Sequence, residues 1–104
     1  MLKIDKNKQL LILKSKMTIE VEKHIQNEVD KYNKANGTLF ASVHNCATYV
    51  LVETYPHRQF CVDIVNFNAK VWERARSIEA DVVSEKREMP SIEEFIAELP
   101  VFNG

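Results

Sequence analysis

Apolar positions along this chain keep a helical spacing at both ends and lose it in the middle. Between residues 18 and 34, Val21, Ile25, Val29 and Tyr32 fall at i, i+4, i+8 and i+11, which places them on one face of a helix. Thr18 is suited to cap that helix, and Asn36-Gly37 supplies the left-handed stop expected after it. A second stripe, Val71, Ala75, Ile78 and Val82, predicts another helix that opens at Asn66 or Asn68 and frays near Glu88, ahead of Pro90. Ser91-Ile92-Glu93-Glu94 has the form of a capping box. It predicts a short third helix presenting Ile92, Phe95, Ile96 and Leu99 before Pro100 stops it.

From Thr38 to Phe67 the pattern suggests a period of two, with runs at 38–43, 48–54 and 60–66. The breaks at His44-Asn45-Cys46-Ala47 and Tyr55-Pro56-His57-Arg58-Gln59 are short enough to join antiparallel neighbours. Setting Val43 opposite Thr48 and Thr54 opposite Phe60 gives one apolar face of Leu39, Ala41, Val43, Val50, Val52, Phe60, Val62 and Ile64. The expected fold is therefore α+β, a three-stranded antiparallel meander packed against two amphipathic helices, with the short helix at the C-terminus. The run Leu10–Leu13 reads as a further strand, with Leu2-Lys3-Ile4-Asp5 as its hairpin partner.

Composition adds bounds. A chain of 104 residues, 45% hydrophobic and 28% charged, has the size and balance of one globular domain spanning 1–104. Its opening residues are too polar for a signal peptide, and no apolar run is long enough to span a membrane, which predicts a cytoplasmic protein. Cys46 and Cys61, the only cysteines, are then expected as reduced thiols. The net charge of −1 hides a polarity: eight lysines against five acids in residues 1–36, and five basic against eight acidic groups in 69–104. The stretch between them holds only Glu53, Arg58 and Asp63.

Chemistry-bearing groups are few. His44, Cys46, His57 and Cys61 are zinc-ligand types, but on the predicted meander they occupy two turns separated by a strand of roughly 26 Å, too far for one tetrahedral ion. No metal and no cofactor are expected. A nucleophilic cysteine, Cys46 with His44 or Cys61 alone, lacks an evident cation to lower its pKa. Glu53 and Asp63 would project together from adjacent strands as a carboxylate pair, a group that is more often solubilising. Two glycines leave no material for a phosphate loop.

The order helix, three strands, helix resembles that of double-stranded-RNA-binding domains in topology. The position of their lysine-rich cluster here reads Asn66-Phe67-Asn68-Ala69-Lys70 followed by Glu73, so the element that would carry binding is missing. Lys3, Lys6, Lys8, Lys14 and Lys16, with exposed tyrosines, supply the alternative reading as a nucleic-acid or nucleotide binder.

The second meander face would carry Phe40, Tyr49, Leu51, Tyr55 and Val65 beside Glu53 and Asp63, a mixture that interface cores favour. The leading expectation is a non-enzymatic regulator or inhibitor that binds another protein, or a second copy of itself, through Phe40, Tyr49, Leu51, Glu53, Tyr55, Asp63 and Val65. Size and the lack of motifs suggest one setting, a phage-encoded inhibitor of a host enzyme or defence system.

Overall fold

The computed structural model describes residues 6–103. Four helices follow one another: α1 (Lys6–Asn36), α2 (Val43–Ala47), α3 (Arg58–Val83) and α4 (Ile92–Ala97). There is no strand among the described residues, so the expected α+β meander is wrong and the fold is helical. The run 60–66 belongs to α3, 38–43 and 48–54 form the link between the long helices, and Leu10–Leu13 lies within α1. The proposed hairpin partner at Leu2–Asp5 lies outside the described residues.

The placement of helix breakers explains this architecture. Residues 6–36 and 58–83 contain neither glycine nor proline, so nothing interrupts propagation of the hydrogen-bond ladder. Pro56 stands just ahead of α3, Pro90 just ahead of the α4 cap, and Pro100 shortly after α4. Gly37 adopts φ +68° immediately after α1, and its amide donates to the Asn33 carbonyl at 2.8 Å. Thr18 and the asparagines 66 and 68 are helix-interior residues and cap nothing; Thr18 Oγ1 donates back to the Lys14 carbonyl at 2.9 Å. The α4 capping box is present, with Ser91 and Glu94 each bonding the other's backbone amide.

The core centres on a seam between α1 and α3, joined by Phe40 and Cys46 from the link and by Phe95 and Leu99 near the C-terminus. Both helix stripes read from the sequence point into it and extend beyond the predicted ends, through Leu13 and Met17 on α1 and Phe60, Ile64 and Phe67 on α3. Val21, Val29, Ile64, Val71 and Ile78 have no exposed surface; burying such a side chain contributes about 1.5–3 kcal/mol. Tyr32 stacks on Phe60 while Lys14 reaches Glu79, so the two helices run antiparallel.

The C-terminal residues cover one flank of the seam. Phe95 of α4 is fully buried, the ring of Phe102 packs on Phe60 and Phe67, and His24 Nε2 bonds the Pro100 carbonyl at 2.7 Å. Glu98 is the electrostatic tie: Arg87 grips it with two 2.8 Å bonds and Arg74 of α3 adds a third at 3.0 Å.

Two expectations follow from these ends. Gly37→Ala forces an L-side chain into the left-handed region and should lower the unfolding free energy by about 1 kcal/mol in urea melts. The Glu98 carboxyl is held below its ordinary value of 4.5, first by its hydrogen bonds to Arg87. Its stabilising contribution is therefore complete above the unfolded carboxylate range and is lost as pH falls below about 4.5 toward the lowered folded value. Urea melts at neutral and acid pH should show a smaller acid-induced loss in Glu98→Gln than in the parent chain.

Candidate protein-contact surface

The link between the long helices is folded by side-chain clasps that replace regular secondary structure. Asn33, near the end of α1, accepts from the Phe40 amide (3.0 Å) through Oδ1 and donates to the Phe40 carbonyl (2.7 Å) through Nδ2. Its Oδ1 also accepts from the Thr38 hydroxyl. One side chain thus pairs with Phe40 as a neighbouring strand would. Asn45 Oδ1 accepts from the Ala41 amide, Gln26 Nε2 donates to the Ala41 carbonyl, and Ser42 caps α2 through its hydroxyl. Beyond α2, Arg58 Nε donates to the Val50 carbonyl at 2.6 Å, and Tyr32 shares a 2.7 Å hydrogen bond with His57 Nδ1.

These clasps assemble an aromatic base. Tyr32 and Phe60 stack at 3.7 Å, Phe40 lies 6.0 Å from Phe60, and Tyr49 and Tyr55 stack at 4.3 Å with Phe40 meeting both edge-on. Each such pair contributes about 0.5–1.5 kcal/mol beyond area burial. Outside this base Val43 and Val50 pack on the core, and three other aliphatic side chains face solvent. Leu39 is 95% exposed, Leu51 89% and Val52 43%. No lysine occurs between residues 37 and 68, and Arg58 is tied down, so the tip of the helical hairpin is apolar and nearly uncharged, with Glu53 exposed beside it.

The residues expected on one sheet face are redistributed. Phe40 is buried, Tyr49 and Tyr55 are half-buried in the aromatic base, and Leu51 and Glu53 stay exposed at the tip. Asp63 and Val65 sit on α3, where Asp63 accepts from Gln59, so the expected Glu53–Asp63 pairing across adjacent strands does not form. The two predicted faces are partly inverted: Leu39 and Val52, assigned inward, are exposed, while Phe40, assigned outward, is core. The apolar pattern gives no sign that Leu39 and Val52 are surface residues, nor of the Asn33 clasp. The last could have been sought as a polar residue one turn before the Asn36-Gly37 stop.

The lysine set does not form a patch. Lys3 lies outside the described residues, and of Lys6 only its place at the start of α1 is described. Lys8, Lys14 and Lys16 are exposed on α1, but spacings of six and two residues turn them to different sides of the helix. Lys14 instead reaches Glu79 at 3.8 Å.

Cys46 and Cys61, expected at separate turns, meet in the core, where each is fully buried and their thiols interact. Burial pushes both thiols up, Cys46 to about 12, so neither offers a thiolate at neutral pH. His44 is exposed and His57 is engaged by Tyr32. Among the described residues no three His, Cys, Asp or Glu side chains gather as a metal site would require, and no helix is long and apolar enough to cross a membrane.

The chain matches no known family model, and no curated protein or solved structure matches it at a significant level. The reading of this surface therefore stands on its own geometry.

Asn33 carries three hydrogen bonds that position the tip, whereas Asn36 makes one exposed bond to the Tyr32 carbonyl. Asn33→Ala should cost about 2 kcal/mol of stability and Asn36→Ala within about 0.5 kcal/mol, measured by urea unfolding.

Proposed function

We propose that the protein is a non-enzymatic binding module that engages another protein through the tip of its helical hairpin. The observation that carries this reading is the mounting of Leu39 and Leu51, nearly fully exposed, on a base of stacked aromatic rings fixed by side-chain clasps. Single exposed leucines are ordinary on protein surfaces. Here two of them, with Val52, adjoin the clasped aromatic cluster in sequence, in a lysine-free part of the chain. Apolar residues held in place lose little entropy on docking, the condition under which a small surface becomes a binding hot spot. The chemistry that fits is an apolar pocket on the partner. A basic group at the pocket's rim would meet Glu53.

This proposal keeps the protein-binding expectation but moves it from a sheet face to a loop. Regulation or inhibition of the partner would follow from occupying that pocket. The buried, protonated thiols and the lysines scattered around α1 give no comparable support to the enzyme and nucleic-acid readings.

A photo-crosslinking residue placed at position 51 tests it in cells of the source organism. We expect one discrete adduct to another protein, absent when the same residue is placed at exposed Asn27 of α1, and weakened at least ~10-fold by Leu39→Ser. Identical patterns at positions 51 and 27, or no adduct at 51, would contradict the proposal.

A further inference from the structure

The α1–α3 seam has two flanks: the C-terminal residues cover one, and on the other α2 packs against α3 toward the hairpin tip and leaves the half beyond it open. His24 of α1 and Arg74 of α3 meet the C-terminal residues on one side. Helical spacing turns Thr18 and Glu22 of α1, and Trp72 and Val83 of α3, to the opposite side of each buried stripe. There a groove runs along the hairpin as three adjoining hollows. Two share Trp72, and two share Lys14, Glu79 and Val83. Leu11, Ile19 and Val83 leave about half or more of their surface in water along it.

The chain also exposes more surface than a compact monomer of its mass. Its accessible area is 7347 Å², against about 6,000 Å² expected for a folded chain of 12.1 kDa. Its radius of gyration is 16.7 Å, with extents of 62 × 21 × 20 Å, where a compact chain of this length would have a radius near 13 Å. The excess, about 1,300 Å², is spread over this elongated form, and the open flank is part of it.

We infer that this open flank is a homodimer interface, on which a second copy lays its own α1–α3 pair antiparallel to complete a four-helix arrangement. The occupant is a second copy because the groove is charge-complementary to itself. A two-fold axis beside Thr18 sets residues equally spaced about position 18 against each other, so Lys14, which also reaches Glu79 of its own chain, meets Glu22 of the other copy. Both residues line the groove. The apolar Ile19 and Trp72 then sit near the axis, where a symmetric contact is buried most deeply. This surface is separate from the hairpin tip, so the dimer and the proposed partner contact can stand or fall independently.

Light scattering across a concentration series tests the inference, read together with emission from Trp72, the only tryptophan. We expect a mass of twice 12.1 kDa at high concentration, dissociation on dilution, and a red shift of the emission as the groove opens to water. Ile19→Glu should weaken the dimer at least ~100-fold while leaving the far-ultraviolet circular dichroism unchanged. Lys14→Glu and Glu22→Lys should each weaken it, and the double swap should restore it. A single-chain mass at every concentration would overturn the inference. So would a dimer indifferent to Ile19→Glu and to the charge swaps, or one abolished by Leu39→Ser with Leu51→Ser at the tip.

Discussion

Everything in this molecule hangs on one antiparallel seam, in which the stripe Val21, Ile25 and Val29 of α1 packs against Ile64, Val71 and Ile78 of α3. Two helices can bury one stripe each against the other, but they cannot cover the flanks of the contact between them. The remaining parts of the chain answer that constraint. The C-terminal residues take one flank, with Phe95, Leu99 and Phe102 supplying apolar cover and Glu98 clamping the turn after α3 to α3 itself. The link between the helices closes one end. α2 covers the tip end of the other flank, and the rest of it stays open, with Leu11, Ile19 and Val83 exposed along it.

The link is the part least like ordinary secondary structure. It has one five-residue helix, and its remaining backbone groups are partly served by Asn33, Asn45, Gln26 and Arg58. Side-chain clasps of this kind fix a loop without a sheet, because each supplies the donor and acceptor that a neighbouring strand would otherwise provide. The aromatic base is the consequence: Phe40 is pinned through its own backbone and Tyr49 and Tyr55 close over it. Burial of Cys46 and Cys61 under the same cluster keeps the thiols protonated, so the chemistry open to the tip is contact.

The ends of the chain were legible and the middle was not, for a definite reason. Stripes at 21, 25, 29 and 32, and at 71, 75, 78 and 82, each contain a spacing of three that only the helical period allows, and the Ser91–Glu94 box and the Gly37 stop are local end signals. Phe60, Val62 and Ile64 satisfy a period of two, but a spacing of four belongs to both periods, so Phe60 with Ile64 is ambiguous. Cys61, Phe67 and Val71 extend that pair into one helical stripe, i, i+1, i+4, i+7, i+11, and all five are buried. A second signal was also present. Tight hairpin turns need residues at positive φ, and His44-Asn45-Cys46-Ala47 offers no glycine. Of the candidate surface, Tyr49, Leu51, Glu53 and Tyr55 were found for the wrong geometric reason, because they are close in sequence at the tip. Asp63 and Val65 were tied to them only by the false register.

The central claim is that one uninterrupted helix runs through 58–83 and carries half of the seam, where alternation would place a strand. Backbone amide and Hα nuclear Overhauser contacts measure this residue by residue. The account predicts sequential amide–amide contacts and i to i+3 Hα–amide contacts from Arg58 through Val83, with no break between Phe60 and Phe67. Cross-strand Hα–Hα contacts pairing 60–64 with 50–54 would contradict it, and with it the seam, the tip and the open flank.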